Sequence, residues 1–280
     1  MERTRKTVEP EGDGCEPASA AALLRLLEIM RRLRDPLSGC PWDIEQDFQS
    51  IAPYTIEEAY EVAEAIAELD YQALRAELGD LLLQVVYHAQ MADEAGHFQF
   101  SDVAQDICDK MIRRHPHVFG TESRDRSAEQ QTEAWERAKA DERETSGQVS
   151  VVDGVSRALP ALTRATKLQK RAARVGFDWP DATSVLPKIA EEAEELVEVS
   201  GGPAAAIQEE YGDLLFAVAN LGRHIGADPE EALRGANRKF EKRFRFIEER
   251  LAERNLSPAD ASLEEMDAIW EEAKALRASE

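Results

Sequence analysis

Apolar residues recur at three- and four-residue steps along most of the chain, which is the spacing of one face of an α-helix. The pattern contains no long alternating run typical of a strand, and helix-favouring Ala, Leu, Glu and Arg are abundant. The sequence therefore predicts an all-α fold. The predicted helices cover residues 21–34, 56–69, 72–92, 101–114, 155–174, 187–199, 204–225 and 230–252.

The helical pattern is absent at the start of the chain and is interrupted once near its middle. Residues 1–18 lack the periodicity, and the polar, glycine-containing stretch "DERETSGQVSVVDG" breaks it again. The 280 residues are enough for two domains of ordinary size. We therefore predict a disordered tail over 1–18, a helical domain over 19–140, a linker over 141–156 and a second helical domain over 157–280.

The two predicted domains repeat each other in sequence. Four blocks occur twice, in the same order, at offsets between 129 and 135 residues. This order predicts a tandem duplication of one all-α unit. The pairs are "EEAYE" (57–61) with "EEAEE" (191–195), "ELGDLL" (77–82) with "EYGDLL" (210–215), "KMIRR" (110–114) with "KFEKR" (239–243), and "AWERAK" (134–139) with "IWEEAK" (269–274).

The composition restricts the partners that the protein can have. A formal net charge of −22 argues against nucleic acid or an anionic membrane, because both bind basic surfaces. The three cysteines are few and odd in number, so we expect no disulfide framework and a reducing compartment. No apolar run reaches the roughly 18 residues of a membrane span. We predict a soluble cytoplasmic protein that binds neither nucleic acid nor membrane.

The first acidic block places Glu58 at the edge of an apolar helix face, next to Glu61 on the helix surface. Thr55 stands three residues before Glu58, so a capping box at the start of the helix is an alternative explanation. In the second copy we expect Pro187 in the first helical turn, which leaves Glu192 too deep in the helix for a cap. The predicted apolar face contains Ile56, Ala59, Tyr60, Ala63 and Ile66.

The second acidic block places Glu77 and Asp80 in a helix that is apolar on nearly all sides and is therefore predicted to be buried. A buried carboxylate costs several kcal/mol unless it is paired or binds a metal ion. Gly79, and Gly212 in the second copy, each forgo about 1 kcal/mol of helix stability relative to alanine. We expect the missing side chains to let another helix or a ligand come close.

Together the two helices predict a cluster of four carboxylates in each domain. Two acid pairs at fixed spacing, present twice, favour a metal site, whereas one pair alone is usually a solvated surface. Oxygen ligands without histidine or cysteine favour Mg²⁺, with Mn²⁺ as a substitute. The predicted ligands are Glu58, Glu61, Glu77 and Asp80 in the first domain and Glu192, Glu195, Glu210 and Asp213 in the second.

The ordered motifs resemble the E-E-x-x-E…E-x-x-D signature of the MazG-type nucleoside triphosphate pyrophosphohydrolases. "NRKFEKRF" (237–244) and "SLEEMDAIWEEAK" (262–274) resemble the closing motifs of that family, and the resemblance covers about 20–140 and 157–276. It implies two copies of an all-α domain and Mg²⁺-dependent hydrolysis of NTPs and dNTPs between the α- and β-phosphates. It also implies a homodimer whose main catalytic site lies in the second domain.

The resemblance also implies roles for individual residues. Glu191 would orient or deprotonate the attacking water, and Glu57 is its counterpart. Without the resemblance, we would interpret the basic pair Lys239 and Arg243 as a solvated helix face. Trp270 and Trp135 would be interpreted as core residues. The implied catalytic residues are Glu191, Glu192, Glu195, Glu57, Glu58 and Glu61. The implied nucleotide contacts are Lys188, Lys239, Arg243 and Trp270, with Lys110, Arg114 and Trp135 as first-domain counterparts.

Two other functions remain compatible with the sequence. One is a base-restricted relative, such as a dUTP or phosphoribosyl-ATP pyrophosphohydrolase. The other is a non-catalytic helical regulator that binds nucleotides or a protein partner. Retention of the acids in both copies disfavours the regulator.

Overall fold

The computed structural model describes residues 16–121, positions 125, 127, 130, 131, 134 and 135, and residues 150–277. All regular secondary structure in this part of the chain is helical, which confirms the predicted all-α class. The first helices are α1 (Glu16–Leu33), α2 (Pro41–Glu45), α3 (Phe48–Glu68), α4 (Tyr71–Glu94), α5 (Phe100–Arg114) and α6 (Pro116–Phe119). Then come α7 (Ala161–Ala173), α8 (Ala182–Glu198), α9 (Ala204–His224), α10 (Pro229–Ala252), a 3₁₀ turn (Pro258–Asp260) and α11 (Leu263–Arg277).

The chain divides into two compact units between Ala138 and Lys139. In the first unit α3 packs along α4, and α4 also contacts α1 and α5. In the second unit α8 packs along α9, and α9 also contacts α7 and α10. The pair α3 and α4 therefore corresponds to the pair α8 and α9, as the sequence repeat requires.

Several element boundaries differ from the predicted ones. Helix α1 begins three residues inside the predicted tail, and residues 155–160, predicted to be helical, form turns and irregular backbone. Helices α2, α6 and α11 were not predicted, and the first two are very short. Residues 141–149 of the predicted linker lie outside the described residues.

Aspartate caps set the true starts of the two acid-bearing helices. Asp47 accepts hydrogen bonds from the backbone of Gln49 and Ser50, so α3 begins eight residues before the predicted start. Glu58 therefore lies in the third turn, and its alternative role in a capping box is excluded. Asp181 caps α8 in the same way, and the placement of Pro187 in the first turn was wrong. Pro53 and Pro187 are each the sixth residue of their helix.

Helix α3 buries a different face from the predicted one. Ile51 and Ala65 are buried and Glu58 is half-buried, whereas Ile56, Tyr60 and Ile66 are exposed. These residues are apolar as predicted, but the described part of the chain leaves them exposed. The acidic side of α3 instead lies against α4.

Helix α4 was predicted to be buried on nearly all sides, but the structure leaves one of its faces exposed. Val86, Tyr87 and Met91 belong to the core of the first unit, together with Met30 and Ile51. On the opposite face, Leu78, Leu82 and Val85 are exposed. Their counterparts on α9, namely Tyr211, Leu215 and Val218, are exposed as well. We call these two sets the apolar stripes of α4 and α9.

No helix among the described residues is both long enough and apolar enough to cross a membrane.

A buried guanidinium joins three helices of the first unit. Arg34 forms a two-pronged ion pair with Glu94 at the end of α4, with N–O distances of 2.7 to 3.0 Å. It also donates to the backbone carbonyls of Asp43 and Gln46, and it lies 5.5 Å from the centre of the Tyr87 ring. Only 8% of its side chain is exposed. The guanidinium thus fixes the end of α1 against α2 and α4.

Substitution of Arg34 by methionine should destabilise the first unit by about 2 kcal/mol or more, since buried carbonyls and a carboxylate lose their donors. Urea unfolding monitored by circular dichroism measures this loss. The matched control is Arg32→Met, because Arg32 pairs with Glu28 on an exposed surface where ion pairs contribute little. Equal loss in the two variants would contradict a structural role for Arg34.

Candidate active site

Three carboxylates from two helices meet in the first unit. Glu58 lies on α3, and Glu77 and Asp80 lie one turn apart on α4. One oxygen from each lies within 4.8 Å of one oxygen from each of the others. The packing of α3 on α4 brings these acids together, because Glu58 is on the side of α3 that faces α4.

Glu61, the fourth predicted ligand of the first unit, adjoins this cluster. Burial raises the pKa of Glu58, and repulsion from Asp80 and Glu61 raises it further. Burial also raises the pKa of Glu77, with additional repulsion from Glu61 and Asp80. Glu61 is thus close enough to Glu58 and Glu77 to raise the pKa of both carboxyl groups. The four acids therefore share one region of crowded negative charge.

The second unit contains a corresponding cluster. Glu192 and Glu195 on α8 and Glu210 on α9 each place an oxygen within 4.8 Å of the other two. Glu192 is the most buried of them, with 5% of its surface exposed. Burial raises the pKa of Glu210, followed by repulsion from Glu195, Glu192 and Asp213. Asp213 is exposed and lies beside the cluster.

The geometry of both clusters suits a hard divalent cation. Two oxygens on one Mg²⁺ lie at most about 4.2 Å apart, because each Mg–O bond is about 2.1 Å long. Carboxylates within 4.8 Å of one another need to shift by less than about 1 Å to share such an ion. Burial and then repulsion between acids raise the pKa values of Glu58, Glu77 and Glu210, and a bound cation would favour the charged form of each.

Lys188 provides the counter-charge of the second cluster in this structure. Its Nζ lies 2.8 Å from Glu192 and 2.9 Å from Glu191. Hydrogen bonds to these two carboxylates raise the pKa of Lys188. Lys188 and Glu192 are four residues apart and are therefore neighbours on a helix. This spacing is the sequence signal that could have predicted the ion pair. The corresponding residue of the first unit is Tyr54, which carries no charge to place there.

The two glycines of the acidic blocks face open space. A side-chain carbon added to Gly79 or Gly212 would meet no atom of the described chain within 4 Å. The expected close approach of another helix is therefore not found among these residues. The space beside each glycine remains open to a ligand or to another molecule.

Arg243, Phe240 and Trp270 contact one another between α10 and α11. The Arg243 guanidinium lies 5.2 Å from the centre of the Trp270 ring, and the Phe240 ring lies 5.4 Å from it. Arg243 Nε is buried without a hydrogen-bond partner, and Lys239 is exposed one turn away. Lys110, Arg114 and Trp135 are half-buried. Glu57 and Glu191 are exposed beside their clusters.

Substitution of Lys188 by methionine should destabilise the second unit without metal, since Glu192 then stays buried without its partner. The same substitution should tighten the binding of Mn²⁺ at least severalfold, because the ion no longer competes with an ammonium group. Calorimetric titration with Mn²⁺ and thermal unfolding with and without the ion measure both effects. Tyr54→Phe is the control, and unchanged Mn²⁺ affinity in Lys188→Met would contradict the competition.

Duplicated all-α units that each hold a group of carboxylates between two helices form a class of proteins whose acidic side chains can hold a divalent cation. The comparisons with known proteins identify the family within this class. The model of the family described as "MazG nucleotide pyrophosphohydrolase domain" matches residues 46–119 and again residues 181–245. These segments contain both clusters, and the chain belongs to the MazG nucleotide pyrophosphohydrolase family.

Individual relatives resemble the chain over most of its length. A nucleoside triphosphate pyrophosphohydrolase of Escherichia coli K12 is 51% identical over 253 residues, or 89% of this chain and 96% of the relative. A Thermotoga maritima protein named nucleoside triphosphate pyrophosphohydrolase/pyrophosphatase MazG is 45% identical over 89% of this chain and 94% of its own length. The Bacillus subtilis protein YabN is 47% identical over 88% of this chain and 50% of its own length.

These findings confirm that the chain is a tandem MazG protein and an enzyme of the nucleotide pyrophosphohydrolase class. The roles assigned to individual side chains in the sequence analysis stay predictions. They include the metal ligands and the nucleotide contacts.

Proposed function

We propose that the protein hydrolyses nucleoside and deoxynucleoside triphosphates between the α- and β-phosphates, giving the monophosphate and pyrophosphate, with Mg²⁺ as the cofactor. The observation that carries this proposal is the pair of carboxylate clusters, each of which lies within a segment matched by the family. Relatives named nucleoside triphosphate pyrophosphohydrolase support the choice of substrate.

The residues present fit a divalent cation. Glu192, Glu195, Glu210 and Asp213 would hold it in the second unit, and Glu58, Glu61, Glu77 and Asp80 in the first. All of these groups are oxygen donors, as Mg²⁺ and Mn²⁺ prefer. A bound ion neutralises the charge of the triphosphate and makes a coordinated water more acidic.

The chain's own residues would orient the substrate and take up the proton. Lys188, now held by Glu191 and Glu192, would turn to a phosphate oxygen when a cation satisfies Glu192. Glu191, freed from Lys188, would accept a proton from the attacking water. Lys239 and Arg243 would bind phosphate oxygens, and Trp270 would contact the base or ribose. Arg243 Nε, buried and unsatisfied, is a donor suited to such an anion.

The second unit is proposed as the main catalytic unit. Its cluster adjoins an ammonium group that can follow the phosphates, whereas Tyr54 stands at that position in the first unit. The exchange of Lys188 for Tyr54 changes the positive charge that each unit offers to a triphosphate. The carboxylates are present in both units.

We also propose that the protein is a homodimer. The apolar stripes of α4 and α9 leave leucine, valine and tyrosine side chains exposed on the face opposite the carboxylates. In the first unit, Ile56, Tyr60 and Ile66 of α3 are exposed as well. Contiguous exposed apolar surface on a folded chain marks an interaction site. A second copy of the chain would cover such surface.

A cytoplasmic location is also part of the proposal, because Cys40 and Cys108 are free.

Substitution of Glu195 by alanine should lower pyrophosphate release from NTPs by at least about 100-fold, because one charge-stabilising ligand is removed. Substitution of Glu61 by alanine should leave most of the activity. Both variants are assayed with Mg²⁺ on a panel of all common NTPs and dNTPs, and circular dichroism checks their folding. Activity on one base alone would instead indicate a base-restricted enzyme, and nucleotide binding without turnover would indicate a regulator.

Substitution of Leu82 and Leu215 together by aspartate should convert a dimer to a monomer, since charges in the apolar stripes cannot be buried without cost. Sedimentation velocity measures the molecular mass of the wild-type protein and the variant. Leu263→Asp is the control, because Leu263 is more exposed and lies outside the stripes. A wild-type monomer at micromolar concentration would contradict the proposed homodimer.

A further inference from the structure

The two carboxylate clusters have different neighbours at one matched helix position. Lys188 precedes Glu192 by four residues on α8, and Tyr54 precedes Glu58 by four residues on α3. Residues four apart on a helix are neighbours on its surface. The two units therefore offer a cation the same kind of acids, but one cluster adjoins an ammonium group and the other adjoins a phenol ring.

Lys188 already neutralises part of the second cluster. Its Nζ lies 2.8 Å from Glu192, whose side chain is 7% exposed, and 2.9 Å from Glu191. Hydrogen bonds between ionised groups are about twice as strong as those between neutral groups. Burial of the carboxylate strengthens the contact further, because water screens it less. Lys188 thus holds the carboxylate that a cation of this cluster would need.

The first cluster contains no such counter-charge. Within the described residues, none of its four acids forms an ion pair with a lysine or an arginine. Burial raises the pKa values of Glu58 and Glu77, and repulsion from Asp80 and Glu61 raises them further. A cation that enters this cluster therefore meets acids that only repel one another.

Tyr54 contributes to packing rather than to charge. It lines a cavity of about 250 Å³ between α1, α2, α3 and α4, together with Met30, Ile51 and Gln84. A phenol ring offers no cationic group to the neighbouring carboxylate. No ion pair with this residue has to break before the first cluster binds a cation.

The second cluster binds a cation only at the expense of an existing interaction. The ion must take Glu192 from Lys188, and this exchange offsets part of the binding free energy. One hydrogen bond to a charged group corresponds to about tenfold or more in an equilibrium constant. The matching exchange is not required at Glu58, where the bound ion instead relieves repulsion.

We propose that the two clusters hold divalent cations with unequal affinity, and that the first unit fills at a lower metal concentration because Lys188 competes for Glu192 in the second. The inference rests on the proposed function, since it takes both clusters as cation sites. It gives the first unit a cation that stays bound between turnovers. The second unit takes up its cation mainly when Lys188 finds another anionic partner, such as a phosphate oxygen.

Titration of the full-length protein with Mn²⁺, in the absence of nucleotide, tests the proposal. Electron paramagnetic resonance measures free Mn²⁺, so the bound ions are counted without any enzymatic reaction. We expect two classes of site, with dissociation constants that differ by at least about tenfold. A single class of equal sites, or no bound Mn²⁺, would overturn the proposal.

Two isosteric variants assign each class to a unit. Asp80 and Asp213 occupy matched positions on α4 and α9, and both are exposed, so an amide at either position should leave the fold intact. Asp80→Asn should weaken the tight class, and Asp213→Asn should weaken the other class. The opposite assignment would overturn the proposal, because it would place the tight site beside Lys188.

An exchange of the two neighbouring residues tests the cause of the inequality. Lys188→Tyr should bring the affinity of the weak class to within about threefold of the tight class. Tyr54→Lys should weaken the tight class about tenfold, because an ammonium group then adjoins Glu58. The second variant leaves the buried Glu192 with its partner, so it is informative even if Lys188→Tyr is unstable. Tyr54→Phe is the control, and affinities unchanged by the exchange would contradict the competition.

Pyrophosphate release from NTPs with Mg²⁺, measured on the same preparations, separates this inference from the proposed function. Release by a protein with a single class of equal Mn²⁺ sites would reject the inequality and support the enzyme. Two classes that respond to the exchange, without release from any triphosphate, would support the inequality and reject the enzymatic proposal.

Discussion

The confinement of several carboxylates between two helices is the constraint around which each unit is organised. The packing of α3 on α4, and of α8 on α9, removes Glu58 and Glu192 partly or wholly from water and brings them toward further acids. Burial raises the pKa values of Glu58, Glu77 and Glu210, and repulsion from the neighbouring acids raises them further. Apolar side chains could fill these positions with less electrostatic cost. The cation that we propose would offset this cost in both copies.

Duplication has preserved the acids while their immediate neighbours have diverged. In the second unit, an ammonium group from the same helix satisfies the most buried carboxylate. In the first unit, the same position carries an aromatic ring at the edge of a cavity. The two units thus keep one electrostatic arrangement and surround it with different chemistry.

The sequence predicted the fold class, the duplication and most of the helices, because helical periodicity and repeated motifs are local signals. It also predicted that Glu58, Glu77 and Asp80 lie close together, and the structure places them in one cluster. Helix starts were missed at Asp47 and Asp181, since Thr55 was considered as the cap in the first copy and Pro187 was placed in the first turn in the second. The membership of each three-residue cluster depends on how two helices cross, which spacing along one helix does not specify.

The direction of the apolar faces was the other limit of sequence interpretation. Ile56, Tyr60, Leu78 and Leu82 read as core residues because periodicity records which side chains avoid water. It does not record whether the surface that covers them belongs to the same chain. Likewise, the cavity beside Tyr54 and Gln84 has no sequence signal, because it arises from the spacing of four helices.

The acids and the apolar stripe lie on opposite sides of α4. This placement restricts the number of residues between Asp80 and Val85 more than it restricts their identity. Deleting one residue between Asp80 and Val85 would rotate everything beyond it by about 100°, turning leucine and valine toward the charged side. Substitutions carry no such penalty. The segments that begin at Glu77 and Glu210 accordingly differ at several positions yet align without a gap across ten residues. In this helix, evolutionary change is free to alter side chains but not to insert or remove them.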